Sequence, residues 1–340
     1  MLDGDFLNLT LSVAGKTDIG LVRSGNEDTL ALDHDNNLFV VCDGMGGHKA
    51  GEVASREACD IIRYSFSEMS GRLADDPVLA IPAEFPPRGA LLVQSIRMAN
   101  RSVYKMSRTH EDFSGMGTTV AAVAFEDDLI CVAHVGDSRV YRLSPNELTP
   151  LTTDHSWVNE LQQSGQFSES EAAKLVNRNV ITRALGINEK VEVDFRAMRV
   201  EAGAMYVLCS DGLCGYAADD EIFAVAKPCG TDVNKIVDNL IQLANDRGGQ
   251  DNVTVVAIRV ESVEGGGNAP EVTPVTVGGE SDEALLRENE ILGAIRQAED
   301  TVQMSGPPGG ATSRKFPLAL IFILFVIIAA VIIYLTAFPE

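Results

Sequence analysis

Three aspartates, Asp43, Asp211 and Asp251, each lie at the end of a mainly apolar, strand-like run. The runs are residues 38–42, 206–210 and 253–258. A carboxylate at the end of a buried strand is costly to desolvate unless something pairs with it. Hard divalent cations prefer oxygen ligands, so the pattern predicts that the three strand ends converge on a divalent metal site.

Two further motifs supply charged groups for the same chemistry. The motif RSGNED begins at Arg23 and includes Glu27 and Asp28, and the motif GDSR includes Asp137. Clustered carboxylates repel one another, so such a cluster is expected where cations neutralise it. Arg23 carries a planar guanidinium, which can bind a phosphoryl group through two parallel hydrogen bonds.

Together these residue types suit the hydrolysis of a phosphate monoester. Two metal ions about 3.5–4 Å apart can hold a bridging water at lowered pKa and bind the oxygens of an in-line displacement. Uncatalysed hydrolysis of a phosphate monoester is among the slowest reactions known, so a strongly activated nucleophile is needed. We therefore expect a metal-bridged hydroxide to attack phosphorus, without a phosphoenzyme intermediate.

The elements that must position these residues form an α+β pattern. The spacing of apolar residues predicts helices at about 51–69 and 89–108. Strands outnumber helices and occur in adjacent groups, which favours α+β layers over a doubly wound parallel sheet. The strand candidates are residues 28–33, 37–42, 118–125, 129–135, 139–143, 191–199, 205–209 and 253–260. Residues 152–186 interrupt the strands with a polar, helical stretch, which is either a lid or a plain surface excursion.

Composition limits the partners and the compartment. The formal net charge of −22 argues against nucleic acid as a partner, because phosphate backbones are held by clustered Lys and Arg. The six cysteines show no paired metal spacing. We interpret them as reduced thiols in a cytosolic compartment.

The C-terminal segment has the composition of a membrane anchor. Residues 316–338 contain no charge, and a helix of this length spans about 34 Å, enough for a hydrocarbon core of about 30 Å. Arg314 and Lys315 precede the segment, which places the N-terminal bulk in the cytoplasm by the positive-inside rule. We expect a single-pass membrane protein, in which residues 261–315 form a flexible acidic linker with a short amphipathic helix at 282–300.

The order of the motifs resembles the bacterial protein phosphatase 2C-like family, the metal-dependent serine/threonine protein phosphatases, over residues 10–260. The motifs are VRSGNED, VVCDGMGGHKAGEVAS, SGMGTTV, AHVGDSRVYRL, LTTDHS, VITRALG, LCSDGL and DNVTVV. The resemblance implies a four-layer α-β-β-α sandwich with two Mn²⁺ or Mg²⁺ ions in a cleft and a third, weaker ion. It also implies that residues 152–186 are a flap near the active site.

The resemblance also implies the roles of the metal ligands. Asp43 would bridge both metals and Gly44 would bind through its backbone carbonyl. Asp211 and Asp251 would complete the ligand set.

Four other residues receive roles from the same motifs. Arg23 would hold the substrate phosphate, and Asp137 would contribute to the third metal site. Glu27 and Asp28 would act through bound waters.

One position departs from the family pattern. In eukaryotic relatives a histidine directly after the metal-binding Asp-Gly is the proposed general acid, but here Met45 occupies that position and His48 follows three residues later. A metal-bound water and His155 in the flap are the candidates for the acid. His34, His110 and His134 are expected to be ordinary surface or strand residues.

We expect an active phosphatase that acts on phosphorylated proteins and opposes a membrane-associated serine/threonine kinase. The alternative is a catalytically inactive membrane-anchored scaffold or sensor with the same fold. Loss of a metal ligand would favour that alternative, and none is missing. A third interpretation is an enzyme that dephosphorylates a single regulator.

Overall fold

The computed structural model describes residues 9–46, 49–68, 81, 84–163, 180–263, 270–278 and 281–304. The chain divides into two compact units, Met1–Ser281 and Asp282–Glu340. Every predicted site residue lies in the first unit, in its strands, helices and the loops that join them.

Two antiparallel sheets form the centre of the first unit. The smaller sheet has the strand order β1-β11-β10-β7-β8. Its strands are β1 (Leu9–Asp18), β7 (Arg139–Leu143), β8 (Leu148–Pro150), β10 (Met205–Cys209) and β11 (Val253–Val263). The larger sheet has the order β12-β9-β6-β5-β3-β2, with β4 paired to β3. Its strands are β2 (Asp28–Asp33), β3 (Leu38–Met45), β4 (Gly117–Thr118), β5 (Val120–Glu126), β6 (Leu129–Val135), β9 (Val193–Arg199) and β12 (Val272–Val277).

The two sheets enclose an apolar core. Phe125 packs edge-on against Phe39 of the same sheet at 6.3 Å and against Tyr206 of the other sheet at 6.1 Å between ring centroids. Every residue from Leu38 to Cys42 is buried, because side chains on both faces of β3 are covered. This explains why β3 is a continuous apolar run rather than an alternating one.

Helices cover the outer faces of both sheets. On the larger sheet lie α1 (Lys49–Glu68) and α2 (Pro87–Thr109). On the smaller sheet lies α6 (Val233–Asp246), whose buried Ile236 and Leu240 belong to the same apolar cluster as Val255 of β11. The remaining helices are α3 (Trp157–Gln163), α4 (Asp211–Cys214), α5 (Asp219–Ala226), α7 (Asp282–Met304) and the 3₁₀ turns Glu111–Phe113 and Lys227–Cys229. The predicted α+β fold is thus confirmed, and the structure adds that both sheets are antiparallel.

Part of the predicted linker is wrong. Residues 272–277 form β12, which pairs with β9 at the edge of the larger sheet, Val277 lying opposite Val193 and Val275 opposite Phe195. A strand in this place covers backbone groups of β9 that would otherwise form an open sheet edge. The helix predicted at 282–300 is present as α7, in the second unit.

Several predictions fall outside the described residues. They concern His48, the flap residues 164–179 and the membrane segment 316–338. Within the residues that the structure describes, no helix is both long and apolar enough to cross a membrane.

Candidate active site

One cavity of about 740 Å³ collects most of the predicted site residues. Its lining includes Arg23, Glu27, Asp43, Gly44, Asp137, Asp211 and Asp251. The remaining predicted residue, Asp28, is buried and pairs with Asp43 across β2 and β3. Residues separated by more than two hundred positions in the chain therefore share one site.

Sheet topology explains this convergence. Asp43 lies near the C-terminal end of β3 in the larger sheet, and Asp211 follows β10 in the smaller sheet. Asp251 precedes β11, and Asp137 lies in the turn between β6 and β7, which belong to different sheets. Because neighbouring strands run antiparallel, the end of one strand lies beside the start of the next, so all four carboxylates reach the same end of the sandwich.

The carboxylates resist ionisation because they are buried together. Burial raises the pKa of Asp43 well above its ordinary value, and the charges of Asp28, Asp211 and Asp137 add to this effect. Burial also raises the pKa of Asp28 and of Asp137 to about 7, and that of Asp211 to about 6. Divalent cations favour the charged form of a carboxylate, so their binding would reverse these shifts.

The donor set fits divalent cations. Among the described residues, Asp28 Oδ1 and Asp211 Oδ1 are buried oxygens without a hydrogen-bond partner. Buried polar atoms are normally satisfied, and an unsatisfied carboxylate oxygen in a cavity is suited to ligate a cation. A site made of carboxylate oxygens matches Mg²⁺ or Mn²⁺ rather than a soft metal.

Gly44 has no room for a side chain. A Cβ at this position would overlap the carbonyl oxygen of Gly51 and lie 2.6 Å from that of Glu27. The start of α1 and the segment before β2 thus approach the backbone of Gly44 closely. Only glycine permits this approach of backbone to backbone beside the carboxylates.

Arg23 lies at the mouth of the cavity. Its Nη2 atom is 2.7 Å from Asp251 Oδ2, and its side chain is 47% exposed. Burial opposes the positive charge of Arg23, but Asp251 and Glu27 outweigh it and raise the pKa of Arg23. The guanidinium therefore stays charged where an entering phosphate would meet it.

Hydrogen bonds hold the carboxylate of Asp28 and the backbone of Asp43. The Ser210 and Thr254 hydroxyls donate to Asp28 Oδ2 at 2.8 and 2.7 Å. The amide of Asp43 donates to Thr119 Oγ1 at 3.1 Å, and the amide of Thr119 donates to the Asp43 carbonyl at 2.8 Å. These bonds restrain the cluster against the mutual repulsion of its members.

Asn252 is a site residue whose role the sequence did not reveal. Its Oδ1 accepts from the amide of Glu27 at 2.8 Å, and its Nδ2 donates to the carbonyls of Ile19 and Gly25 at 3.0 and 2.9 Å. It thereby ties the loop that carries Arg23 to the start of β11. The available signal was its position directly after Asp251. Glu52, Thr119 and Ile181 also line the cavity; each lies in one of the motifs that carry the family resemblance, but no role was predicted for them.

The structure argues against His155 as the leaving-group acid. His155 is 8% exposed and does not line the cavity, whereas Met45 does. Its Nδ1 accepts a hydrogen bond from the amide of Gly136 at 3.0 Å. Of the histidines that the structure describes, none lines the cavity.

Comparison with known proteins gives a consistent result. The family model described as protein phosphatase 2C matches residues 23–253. The serine/threonine phosphatase stp of Listeria monocytogenes serotype 4b is 34% identical over 257 residues, which are 75% of this chain and 98% of that protein. The serine/threonine protein phosphatase PstP of Mycobacterium tuberculosis is 34% identical over 315 residues, which are 91% of this chain and 56% of PstP.

A solved structure extends the comparison to the fold. The crystal structure of the catalytic domain of the serine/threonine protein phosphatase PstP contains two manganese ions. It matches 75% of this chain and 100% of its own, with a TM-score of 0.63 and 34% sequence identity.

Proposed function

This chain belongs to the protein phosphatase 2C family and is a serine/threonine protein phosphatase of that type, and we propose that it hydrolyses phosphoserine and phosphothreonine in proteins with bound Mn²⁺ or Mg²⁺. One observation carries the proposal: four carboxylates meet in a single cavity that a guanidinium also lines. The carboxylates are Asp43, Asp137, Asp211 and Asp251, and the guanidinium is that of Arg23.

The residues proposed to hold the two principal cations are Asp43, Gly44, Asp211 and Asp251. Asp137 would contribute to a third, weaker cation, and Glu27 and Asp28 would act through bound waters. When bound, two divalent cations lower the pKa of a water held between them, which makes hydroxide available, and neutralise the oxygens of a phosphoryl group.

Arg23 would bind the phosphate of the substrate. A guanidinium presents parallel N–H groups that match two phosphoryl oxygens. The ion pair with Asp251 orients the guanidinium beside the carboxylate cluster before substrate enters. Charge that develops on the phosphoryl oxygens is thereby stabilised by a group already in place.

The competing function is an inactive scaffold or sensor. Such a protein would have lost at least one carboxylate, and the buried oxygens would then be replaced by groups that do not bind cations. Here all four strand-end carboxylates line the cavity, which favours the enzyme. Whether its substrates are many or a single regulator is a question for substrate trapping.

We also propose that residues 316–338 anchor the chain in a membrane, with the phosphatase unit in the cytoplasm. There it would reverse the phosphorylation carried out by a membrane-associated serine/threonine kinase. The support is the uncharged stretch of 23 residues preceded by Arg314 and Lys315. Confinement to the membrane plane raises the effective concentration of the phosphatase near membrane-bound phosphoproteins. A chain ended at residue 315 should move from the membrane fraction to the supernatant, and its retention in the membrane fraction would contradict the anchor.

The catalytic proposal is tested by Asp43→Asn. This variant should lose Mn²⁺-dependent release of phosphate from a phosphothreonine peptide, because a neutral amide cannot neutralise the cations. Asp238→Asn is a matched control, since the Asp238 side chain is 62% exposed and pairs with Lys16 on the surface. Full activity of Asp43→Asn, or equal losses in both variants, would contradict the assignment.

A further inference from the structure

A polar network lies behind the turn that carries Asp137. His155 Nε2 is 3.1 Å from Asp194 Oδ2 and 3.1 Å from Arg183 Nη1, and Arg183 Nη1 donates to Asp194 Oδ1 at 2.9 Å. The rings of His134 and His155 stack with their centroids 4.7 Å apart. The mechanism proposed above uses none of these side chains.

The network has the residue types of a metal site, but its hydrogen bonds argue against one. The ligand atoms of His134, His155 and Asp194 lie within 4.8 Å of one another. The Gly136 amide donates to His155 Nδ1, so the single proton of a neutral imidazole is on Nε2. That nitrogen then has no lone pair for a metal, and the Arg183 guanidinium already supplies the positive charge beside Asp194.

The same hydrogen bond connects His155 to the active site. Gly136 directly precedes Asp137, and the His155 ring accepts from the Gly136 amide at 3.0 Å. The backbone amide of His155 donates to the Gly136 carbonyl at 2.9 Å. This carbonyl belongs to the peptide bond that joins Gly136 to Asp137. His155 therefore binds both polar backbone groups of the residue that orients Asp137.

Gly136 is a position where such support is needed. Its φ is +108°, a backbone conformation that glycine adopts freely and that other residues rarely adopt. Glycine also leaves the unfolded chain the greatest freedom, so a fixed partner is required to hold one conformation. Asp137 itself is 9% exposed, and its carboxylate lines the cavity.

The other side of the turn is held by the same segment. Arg139 binds Asp154 through two parallel hydrogen bonds, from Nε at 2.8 Å and from Nη2 at 2.7 Å. The amide of Val140 donates to Thr152 Oγ1 at 3.1 Å. Residues 152–155, which we term the brace, thus bind the turn on both sides of Asp137.

We propose that His155 is a positioning residue for Asp137, acting as a hydrogen-bond acceptor for Gly136 rather than as the leaving-group acid. Asp194 fixes its tautomer by accepting from Nε2, in the way that outer partners orient metal-binding groups. The inference rests on the proposed function, in which Asp137 contributes to cation binding. Loss of the acceptor should weaken the cation site to which Asp137 belongs.

Two substitutions separate the two ring nitrogens. His155→Asn retains an oxygen near the position of Nδ1, so it can still accept from the Gly136 amide. His155→Gln retains a donor near the position of Nε2, so it can still donate to Asp194. In the asparagine variant, the Mn²⁺ affinity of the weakest site should stay within about twofold of that in wild type. In the glutamine variant, the Mn²⁺ affinity of this site should fall about tenfold, which is the lower end of the range for removing a partner of a metal ligand.

Mn²⁺ binding by the purified protein is measured by isothermal titration calorimetry, which needs no catalytic turnover. A double-mutant cycle with Asp137→Asn tests whether His155 acts through Asp137. In that background, His155→Gln should cause no further loss of Mn²⁺ affinity. Thermal melting of each variant reports whether it is folded. If the glutamine variant is not folded, the Mn²⁺ titration of the asparagine variant serves as the test.

The pH profile of kcat distinguishes positioning from proton donation. If His155 positions Asp137, kcat of the Gln variant at saturating Mn²⁺ keeps the shape of the wild-type pH profile. Any of three results would overturn the proposal. They are loss of the alkaline limb of the pH profile in both variants, equal Mn²⁺ affinity in the asparagine and glutamine variants, and additive losses of Mn²⁺ affinity in the double-mutant cycle. If the wild-type chain releases no phosphate but the calorimetric pattern holds, the proposed function fails and the positioning role stands.

Discussion

Asp28→Asn should remove a pH dependence of stability that the metal-free protein carries. Asp28 is buried, and burial raises its pKa from 3.8 to about 7 in the folded state. The folded protein therefore keeps a proton that the unfolded chain has lost, and its stability falls as the pH rises between these two values. This sign is the reverse of that for a carboxylate in a salt bridge.

The magnitude follows from the pKa. Each pH unit over which only the folded state holds the proton changes the free energy of unfolding by about 1.36 kcal/mol. Between pH 5.5 and 7 this amounts to about 2 kcal/mol, and above pH 7 little is added. Asparagine cannot titrate, so the stability difference between wild type and Asp28→Asn should shift by about 2 kcal/mol in favour of the variant as the pH rises from 5.5 to 7.5.

Urea unfolding followed by circular dichroism in EDTA measures this difference. His134 titrates in the opposite sense, because burial and the neighbouring His155 lower its pKa to about 4, but its effect is common to both proteins and cancels. Asp238→Asn again provides the exposed control. With saturating Mn²⁺ the shift should disappear, because the cations keep the carboxylates ionised. A difference that stays constant within about 0.5 kcal/mol between pH 5.5 and 7.5 in EDTA would refute the reasoning.

Three further predictions concern the cavity. Gly44→Ala should destabilise the protein by about 3 kcal/mol in urea unfolding, because its Cβ overlaps backbone, while Gly25→Ala, with no atom within 4 Å, should change stability by less than about 0.5 kcal/mol. Arg23→Lys should lower kcat/KM for a phosphothreonine peptide at least about tenfold, because lysine lacks the planar guanidinium. Arg63→Lys, on the exposed face of α1, is the control and should leave kcat/KM unchanged. Similar kcat/KM values for both variants would contradict the phosphate-binding role of Arg23. Asn252→Ala should lower the thermal midpoint, because it removes three hydrogen bonds to the Arg23 loop, and an unchanged midpoint would show that these bonds do not restrain the loop.

Much of the fold was predictable from local patterns. β2 was predicted at residues 28–33 and is observed at Asp28–Asp33. α1 begins two residues before its predicted start, and α2 extends the predicted helix by two residues at its start and one at its end. β12 was missed because Val272–Val277 is short, contains Pro274 and is surrounded by glycines, which favours a linker. Only its pairing with β9 makes it a strand, and a pairing of this kind is not a local property of the sequence.

The candidate site shows the same division. The chemical types of Asp43, Asp211 and Asp251, and their places at the ends of apolar runs, are properties of the sequence, and they predict a metal-binding cluster. The roles of individual residues in that cluster remain predictions. Asn252 could not be singled out, because the groups it binds belong to a loop more than two hundred residues earlier.

The amino-acid sequence is enough to predict which groups could do chemistry and that strand ends would carry them. The partners of His155, in contrast, are set by the folded structure. As a histidine in the flap it was a candidate acid, because its ordinary pKa lies near neutrality. Its partner Gly136 lies 19 positions earlier, and the Gly136 amide donates to Nδ1 while Nε2 lies 3.1 Å from Asp194 Oδ2. The protonation of a buried histidine depends on the partners that folding places around it, which spacing along the chain does not specify.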